Sequence, residues 1–340
     1  MYMKSSNCLG VLALCVLLLF SCAEKRHEVS TEPVKVIFDT DIGNDIDDVL
    51  ALQMLVNYHK RGLIELEAVT ISKCNKKSVL FADGYLRFND MKTDLGFAHN
   101  GVTPDDYFYL IPTLSSEYHG HRVIEPKVDT SSVEEAYVLM RRQLVEASDS
   151  SVVIIAVGPM TNMGRLVDSR PDSISSLDGA SLLRKKVREV VLMAGMFEKE
   201  GMFPEYNVVC DIPAARLFFE KCPVPIIVSG FEIGGRVLYP HESVLGDFGD
   251  PEAHPLPIAY SHYSQMPYDR QTWDLTAVYQ AVEPDNNLIR NSEAGKIHID
   301  DEGYSIFEPE EGGKHHFLLL DDKDITALRD TLVTRVSGRF

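Results

Sequence analysis

Five aspartates fall within ten residues: Asp39, Asp41, Asp45, Asp47 and Asp48. Carboxylates this close repel one another. A folded chain keeps them together only around a cation, or by holding some of them protonated. They follow the apolar run Val36-Ile37-Phe38 and precede a helical pattern, which puts them at the C-terminal end of a strand. That end is where open α/β sheets bind ligands. Polar residues recur where later apolar runs stop: Asn75, then Val157-Gly158-Pro159-Met160-Thr161-Asn162, then Glu205-Tyr206-Asn207, then Trp273-Asp274. Hard oxygen donors without nearby His or Cys suit Ca2+ or Mg2+ rather than zinc. These residue types imply a divalent-cation site in a cleft.

Other readings of the cluster fit less well. Helix capping explains one or two acids at a helix start, but not Asp39 and Asp41. A calcium loop of the EF-hand kind needs Gly at its sixth position and Glu at its twelfth. Counted from Asp39, those places hold Asn44 and Leu50. A haloacid-dehalogenase-type phosphatase also starts with a strand and Asp-x-Asp, but its pattern wants Thr or Val where Gly43 stands.

The elements that must carry these residues alternate. Strands are expected at Val34–Asp39, Leu66–Ile71, Val152–Val157, Val187–Ala194 and Val224–Val228. Helical spacing is expected over Asp47–Lys60, Ser78–Phe88, Ser132–Ala147, from Thr161, from Pro213 to Glu220, and over Thr272–Val282. The continuous apolar strands fit a sheet covered on both faces. Lys296–Phe307 and His315–Leu320 read as a hairpin pair, and Ile325–Val336 as a closing helix. The fold class implied is α/β: a single domain with a mostly parallel, Rossmann-like sheet and helices on both faces.

The chain has 340 residues, 45% of them hydrophobic, enough for one large core. Its formal net charge of −18 argues against a nucleic-acid partner, which needs clustered Lys and Arg. No Gly-rich loop awaits a phosphate. The start of the chain is read apart from the fold. Lys4 supplies a positive charge, and Leu9–Phe20 is an apolar stretch short for a membrane span. Leu19-Phe20-Ser21-Cys22 resembles a bacterial lipobox, which implies a signal peptide over 1–22, lipidation of Cys22 and an exported protein anchored in the cell envelope. Residues 23–33 read as a polar tether and 34–340 as the folded domain. Cys74, Cys210 and Cys222, odd in number and widely spaced, read as buried thiols rather than a disulfide framework.

The ordered motifs resemble the nucleoside hydrolases, the inosine/uridine-preferring N-ribohydrolase family, from about Val34 to the C-terminus. They are Asp39-Thr40-Asp41-Ile42-Gly43…Asp47-Asp48, Gly158-Pro159-Met160-Thr161-Asn162, Glu205-Tyr206-Asn207 and Trp273-Asp274. The resemblance implies one Ca2+ held by Asp41, Asp48, Asp274 and the Val157 carbonyl, with Asp41 also taking a proton from the attacking water. It implies that Asp47 and Asn75 bind ribose hydroxyls. Glu205 and Asn207 would hold the far side of the sugar, with Met193 against it. Asp39 is expected behind these residues, Asn162 as a brace, and Asp45 as either a substitute for one of the Asp pair or an outer acid.

The implied activity is calcium-dependent hydrolysis of a nucleoside to free base and ribose, by a homo-oligomer (dimer or tetramer). Two departures stand out. Many members of the family have His where this chain has Trp273, and a purine-preferring branch shares the Trp, whose indole would stack on the base. A ribose-binding Asn commonly found in the family is missing from Phe197–Phe203. If an acid is needed for the leaving base, the candidates are Tyr260, His262, Tyr263 and Tyr268, with His119 and His121 at the mouth. The rival readings are a non-catalytic nucleoside- or sugar-binding lipoprotein, and a hydrolase of another N-glycoside or a modified sugar.

Overall fold

The structure is a computed structural model that describes residues 33–103 and 108–340. The signal peptide, Cys22 and nearly all of the tether lie outside the described residues.

The chain enters the sheet with β1 (Val34–Thr40), crosses through α1 (Asp47–Lys60) to β2 (Ile64–Ile71), and through α2 (Lys76–Phe88) to β3 (Asp94–Phe97). After α3 (Ala136–Glu146) it returns to the other side of β1 as β4 (Val152–Ala156). Then come α4 (Thr161–Asp168), β5 (Val187–Met193), α5 (Ile212–Lys221) and β6 (Ile226–Ser229). The last part holds α6 (Pro255–Tyr263), α7 (Trp273–Val282), β7 (Gly295–Ile299), β8 (Ser305–Pro309), β9 (His315–Leu319) and α8 (Ile325–Val336).

One eleven-stranded sheet runs β8-β7-β9-β6-β5-β4-β1-β2-β3 and ends at the short strand Glu134–Glu135, with Arg290–Asn291 beside β9. From β9 to Glu134–Glu135 every pairing is parallel. Strand order reverses between β1 and β4, the switch point at which a crevice opens beyond the carboxyl ends.

Period-two alternation divides the strands between two cores. Val36, Phe38, Val153 and Ile155 enter one, while Ile37, Ile154 and Ala156 enter the other. Both faces are covered, so these strands can be apolar throughout.

Two expectations are corrected. Lys296–Phe307 is not one strand. Asp300 to Gly303 turn it into the antiparallel β7–β8 hairpin, with Asp300 Oδ1 accepting the amides of Glu302 and Tyr304 and Gly303 at φ 91°. β9 then joins the main sheet parallel to β6. Cys74, read as buried, is exposed, whereas Cys222 is buried. No helix among the described residues is long and apolar enough to cross a membrane.

Candidate active site

The acids are set by a sharp turn between β1 and α1. Asn44 N returns to Asp41 O at 3.2 Å, and Gly43 takes φ 115°. A Cβ on Gly43 would stand 2.7 Å from Leu110 Cδ1, so the position excludes a side chain on two counts. Tyr109 fastens the turn: Gly43 N donates to its Oη at 2.6 Å, and that hydroxyl donates to Asp45 O at 2.8 Å. Asp47 and Asp48 then occupy the first turn of α1, and neither serves as its cap. Asp274 likewise stands in the first turn of α7, and its backbone N–H donates to Asp47 Oδ2 at 3.1 Å. The positive ends of two helices therefore face the same acids.

Asp47, Asp48 and Asp274 each offer a carboxylate oxygen within 4.8 Å of the other two, and all three are buried. Burial raises each one well above the ordinary carboxylate range, and the neighbouring acids add to it: Asp45 for Asp47, Asp41 and Asp47 for Asp48, and Asp47 and Asp48 for Asp274. Thr40 Oγ1 donates to Asp48 Oδ1. An oxygen-only trio this crowded and this dry fits a hard divalent cation, which would relieve the repulsion.

Asp41 lines the same cavity but stands outside that trio, with its Oδ2 3.1 Å from Lys73 Nζ. Lys73 is only 2% exposed and donates to Tyr206 Oη at 2.7 Å. Burial raises the Asp41 carboxyl, and the Lys73 charge opposes that rise. A lysine at the end of an apolar strand was the available signal, and sequence reasoning did not use it.

The cavity holds about 260 Å3. Asp41, Asp45, Asp47, Asp48, Val157, Met193, Glu205, Asn207, Trp273 and Asp274 all line it, joined by Asn44, Phe203, Tyr206, Phe231 and Arg270. Asn207 Nδ2 donates to the carbonyls of Val157 (2.9 Å) and Met193 (3.1 Å), which ties β4 to β5 at the cavity floor. Glu205 accepts the amides of Gly195 and Asn207, both at 2.9 Å. Burial nonetheless pushes its carboxyl up to about 7. Trp273 Nε1 donates to Phe231 O at 3.0 Å, which fixes the indole against the Phe231 ring at 5.1 Å between centroids.

Asp39 and Asn162 sit behind this layer. Asp39 Oδ1 accepts from Thr70 Oγ1 at 2.6 Å and from Asn162 Nδ2 at 2.7 Å, and burial raises the Asp39 carboxyl to about 7. Asn162 also donates to Ile71 O at 3.1 Å, so it braces β1 against β2.

Several expected residues do not meet the cavity. Asn75 caps α2, its Oδ1 accepting from Lys77 N and Ser78 N, and it is absent from the lining. Tyr260 is fully buried and trades hydrogen bonds with Tyr268, hydroxyl to carbonyl in each direction. His262 is exposed at the end of α6. His119 and His121 belong to the small hairpin of Glu117–Tyr118 with His121–Arg122 and are exposed. Tyr260, Tyr268, His262, His119 and His121 are all absent from the cavity lining.

Asp45 stands outside the acid trio but beside it, and its charge helps to raise Asp47. Its carboxylate accepts from Arg270 Nε at 2.8 Å and from Arg270 Nη2. Arg270 was not anticipated, because an arginine three residues before Trp-Asp carries no signal of its own in sequence.

Curated relatives include the pyrimidine-specific ribonucleoside hydrolase RihA of Escherichia coli, 25% identical over 205 residues, covering 58% of this chain. RihA of Salmonella agona is 26% identical over a stretch of the same length. The chain spans 60% of the length of these relatives. Among solved structures, a plant nucleoside hydrolase superposes with TM-score 0.66 at 18% identity, over 90% of this chain and 98% of its own. The inosine-uridine preferring nucleoside hydrolase from Bacillus anthracis gives 0.62 at 16%, over 90% and 100%. The type III effector protein XopQ, solved with adenosine diphosphate ribose, gives 0.64 at 12%, over 91% and 94%. These structural likenesses concern the fold. The sequence profile described as inosine-uridine preferring nucleoside hydrolase matches residues 36–317, and the chain belongs to that family.

Proposed function

We propose that this chain is a nucleoside N-ribohydrolase that works with a bound Ca2+ and favours purine ribonucleosides. The observation that carries this reading is the convergence of buried Asp41, Asp47, Asp48 and Asp274, from opposite ends of the chain, on one cavity floored by Val157, Met193 and Asn207. Asp47, Asp48 and Asp274, with the Val157 carbonyl, would hold the cation, and Asp41 lies beside it. A divalent cation there would fix the vicinal hydroxyls of a ribose and supply water of lowered pKa.

The chain's own residues do the rest. Asp41 accepts the proton of the attacking water. Glu205, rigid on three backbone amides, and Asn207 face the sugar, and the surrounding carboxylates stabilise the positive charge that grows on it. Trp273, Phe231 and Phe203 give the cavity an aromatic wall for the base. An aromatic wall on which a purine could stack supports the purine preference. The names of the RihA relatives, which are pyrimidine-specific, pull the other way.

A panel of purine and pyrimidine ribonucleosides, assayed for free base with Ca2+ and with chelator, tests the reading. Release of base that Ca2+ supports and Asp41→Ala lowers by roughly 1,000-fold or more is expected. Tight, Ca2+-dependent nucleoside binding without turnover would favour a non-catalytic binding protein. The contact between Lys73 and Asp41 gives that second reading its one structural support, because an ammonium beside the water-activating carboxylate weakens it as a base.

A further inference from the structure

Breaking an N-glycosidic bond pushes an electron pair onto the departing base. That base must be protonated, or its negative charge must be met. Among the described residues that line the cavity there is no histidine, and Arg270 alone is cationic.

Arg270 is held in place. Its Nε and Nη2 bind the two oxygens of Asp45, and its Cζ lies 5.1 Å from the ring centroids of both Trp273 and Tyr263. Nη1 has no acceptor among the described residues. A guanidinium clamped on one edge by a carboxylate and flanked by aromatic rings keeps its orientation, so its remaining N–H groups are preorganised donors. Burial works against its charge, but the hydrogen bonds to Asp45 outweigh that and hold it above its ordinary range. Arg270 therefore stays charged and gives up no proton.

We infer that Arg270 is the leaving-group residue of this site, stabilising the departing base as an anion by charge and hydrogen bonding rather than by proton transfer. The inference rests on the ribohydrolase reading and deepens it. In the step, the C1′–N bond breaks and its electron pair goes to the base nitrogen. Water oxygen bonds to C1′, and the water proton goes to Asp41. The base anion, paired with Arg270, takes a proton from solvent as it leaves. The acceptors Arg270 would meet, a ring nitrogen or carbonyl oxygen next to the broken bond, occur in purines and pyrimidines alike. Arg270 therefore promotes departure without choosing the base, which leaves selectivity to the aromatic wall. Asp45 is the positioning residue of this arginine.

The test compares two leaving groups on the full chain with Ca2+. Nucleosides need help at the leaving group. 4-Nitrophenyl β-D-ribofuranoside does not, because its phenolate departs unaided. Arg270→Met should lower kcat on nucleosides by roughly 100-fold and on the nitrophenyl riboside by no more than about 3-fold, the selective loss expected of transition-state charge stabilisation. Arg270→Lys, which keeps the charge without the fork, should fall between. Should Arg270→Met fail to fold, the same rate ratio in Arg270→Lys decides, and an unchanged ratio overturns the inference. Equal losses on both substrates would mean that Arg270 only braces Asp45 and would also overturn it. A wild-type chain that cleaves neither substrate refutes the ribohydrolase reading itself, a result distinct from a wild type that is active with an unaltered variant ratio.

Discussion

Lys73 is the residue whose chemistry departs most from a simple cation cup. Its ammonium lies 3.1 Å from Asp41 Oδ2, in a site whose other charges are nearly all negative. The ion pair offsets part of the Asp41 charge but leaves the buried Oδ2 without a hydrogen bond among the described residues, and it places a positive charge where a cation would profit from Asp41. Two like charges a few ångströms apart repel by about 1–4 kcal/mol at effective dielectrics between water and a protein surface. Lys73→Met should therefore tighten Ca2+ binding by about tenfold, the lower part of that range. Calorimetric titration of the full chain reads this directly. Unchanged or weaker binding would show that Lys73 orients Asp41 more than it competes with the cation. Part of this site was legible in sequence, because aspartates at strand ends announce themselves by type and spacing. Lys73 and Arg270 did not, since a long cationic side chain can reach many places and its spacing does not say which. Asn75 is ambiguous for a related reason: an Asn before a helix reads equally as a cap or a ligand contact, and here its oxygen is used by Lys77 N and Ser78 N.

At the scale of elements, the site is built by two helix starts brought to one point. α1 and α7 were both legible: Asp47–Lys60 matches its expectation at both ends, and Trp273–Val282 begins one residue late. Their meeting was not legible, because it depends on packing between segments more than 200 residues apart. The same holds for β9, whose parallel pairing with β6 is a long-range choice that local periodicity does not encode. What joins α1 to the sheet is the turn at Gly43, and that turn sets how the first helical turn presents Asp47 and Asp48. Gly43→Ala must place a Cβ at φ 115° and 2.7 Å from Leu110 Cδ1. It should cost about 1–3 kcal/mol of stability, as strained non-glycine positions do. It should also weaken Ca2+ binding, since the acids move with the turn. Urea unfolding and cation titration test the two effects separately. A stability loss with unchanged affinity would show that α1 keeps its place through its packing on α7 alone.

For the whole molecule, the buried carboxyls shape how stability depends on pH. Glu205 and Glu232 are both raised to about 7 by burial, from an unfolded value of 4.5. The folded state therefore binds more protons than the unfolded state between those values, and stability rises as pH falls through 7. The acid trio pushes in the same direction, as its carboxyls are raised too. Opposing them, His254 and His315 are lowered by burial to about 4, so protonation of the unfolded chain below about 6.5 begins to cost stability. Carboxylates held low by partners, such as Asp172 at about 2 beside Arg141, matter only at more acid pH. The informative window thus runs from pH 8 to 6.5. In chelator, each glutamate should add about 1 kcal/mol across it, and each kcal/mol should raise Tm by roughly 1.5 °C. Glu205→Gln should flatten that slope. Saturating Ca2+ should raise Tm most at pH 8, where protons compete least for the acids, and the gain should shrink toward pH 6.5. A cation-free chain whose Tm instead falls steadily from pH 8 to 6.5 would mean that these carboxyls are ionised and already paired. The case for a site waiting on a divalent ion would then lose its electrostatic basis.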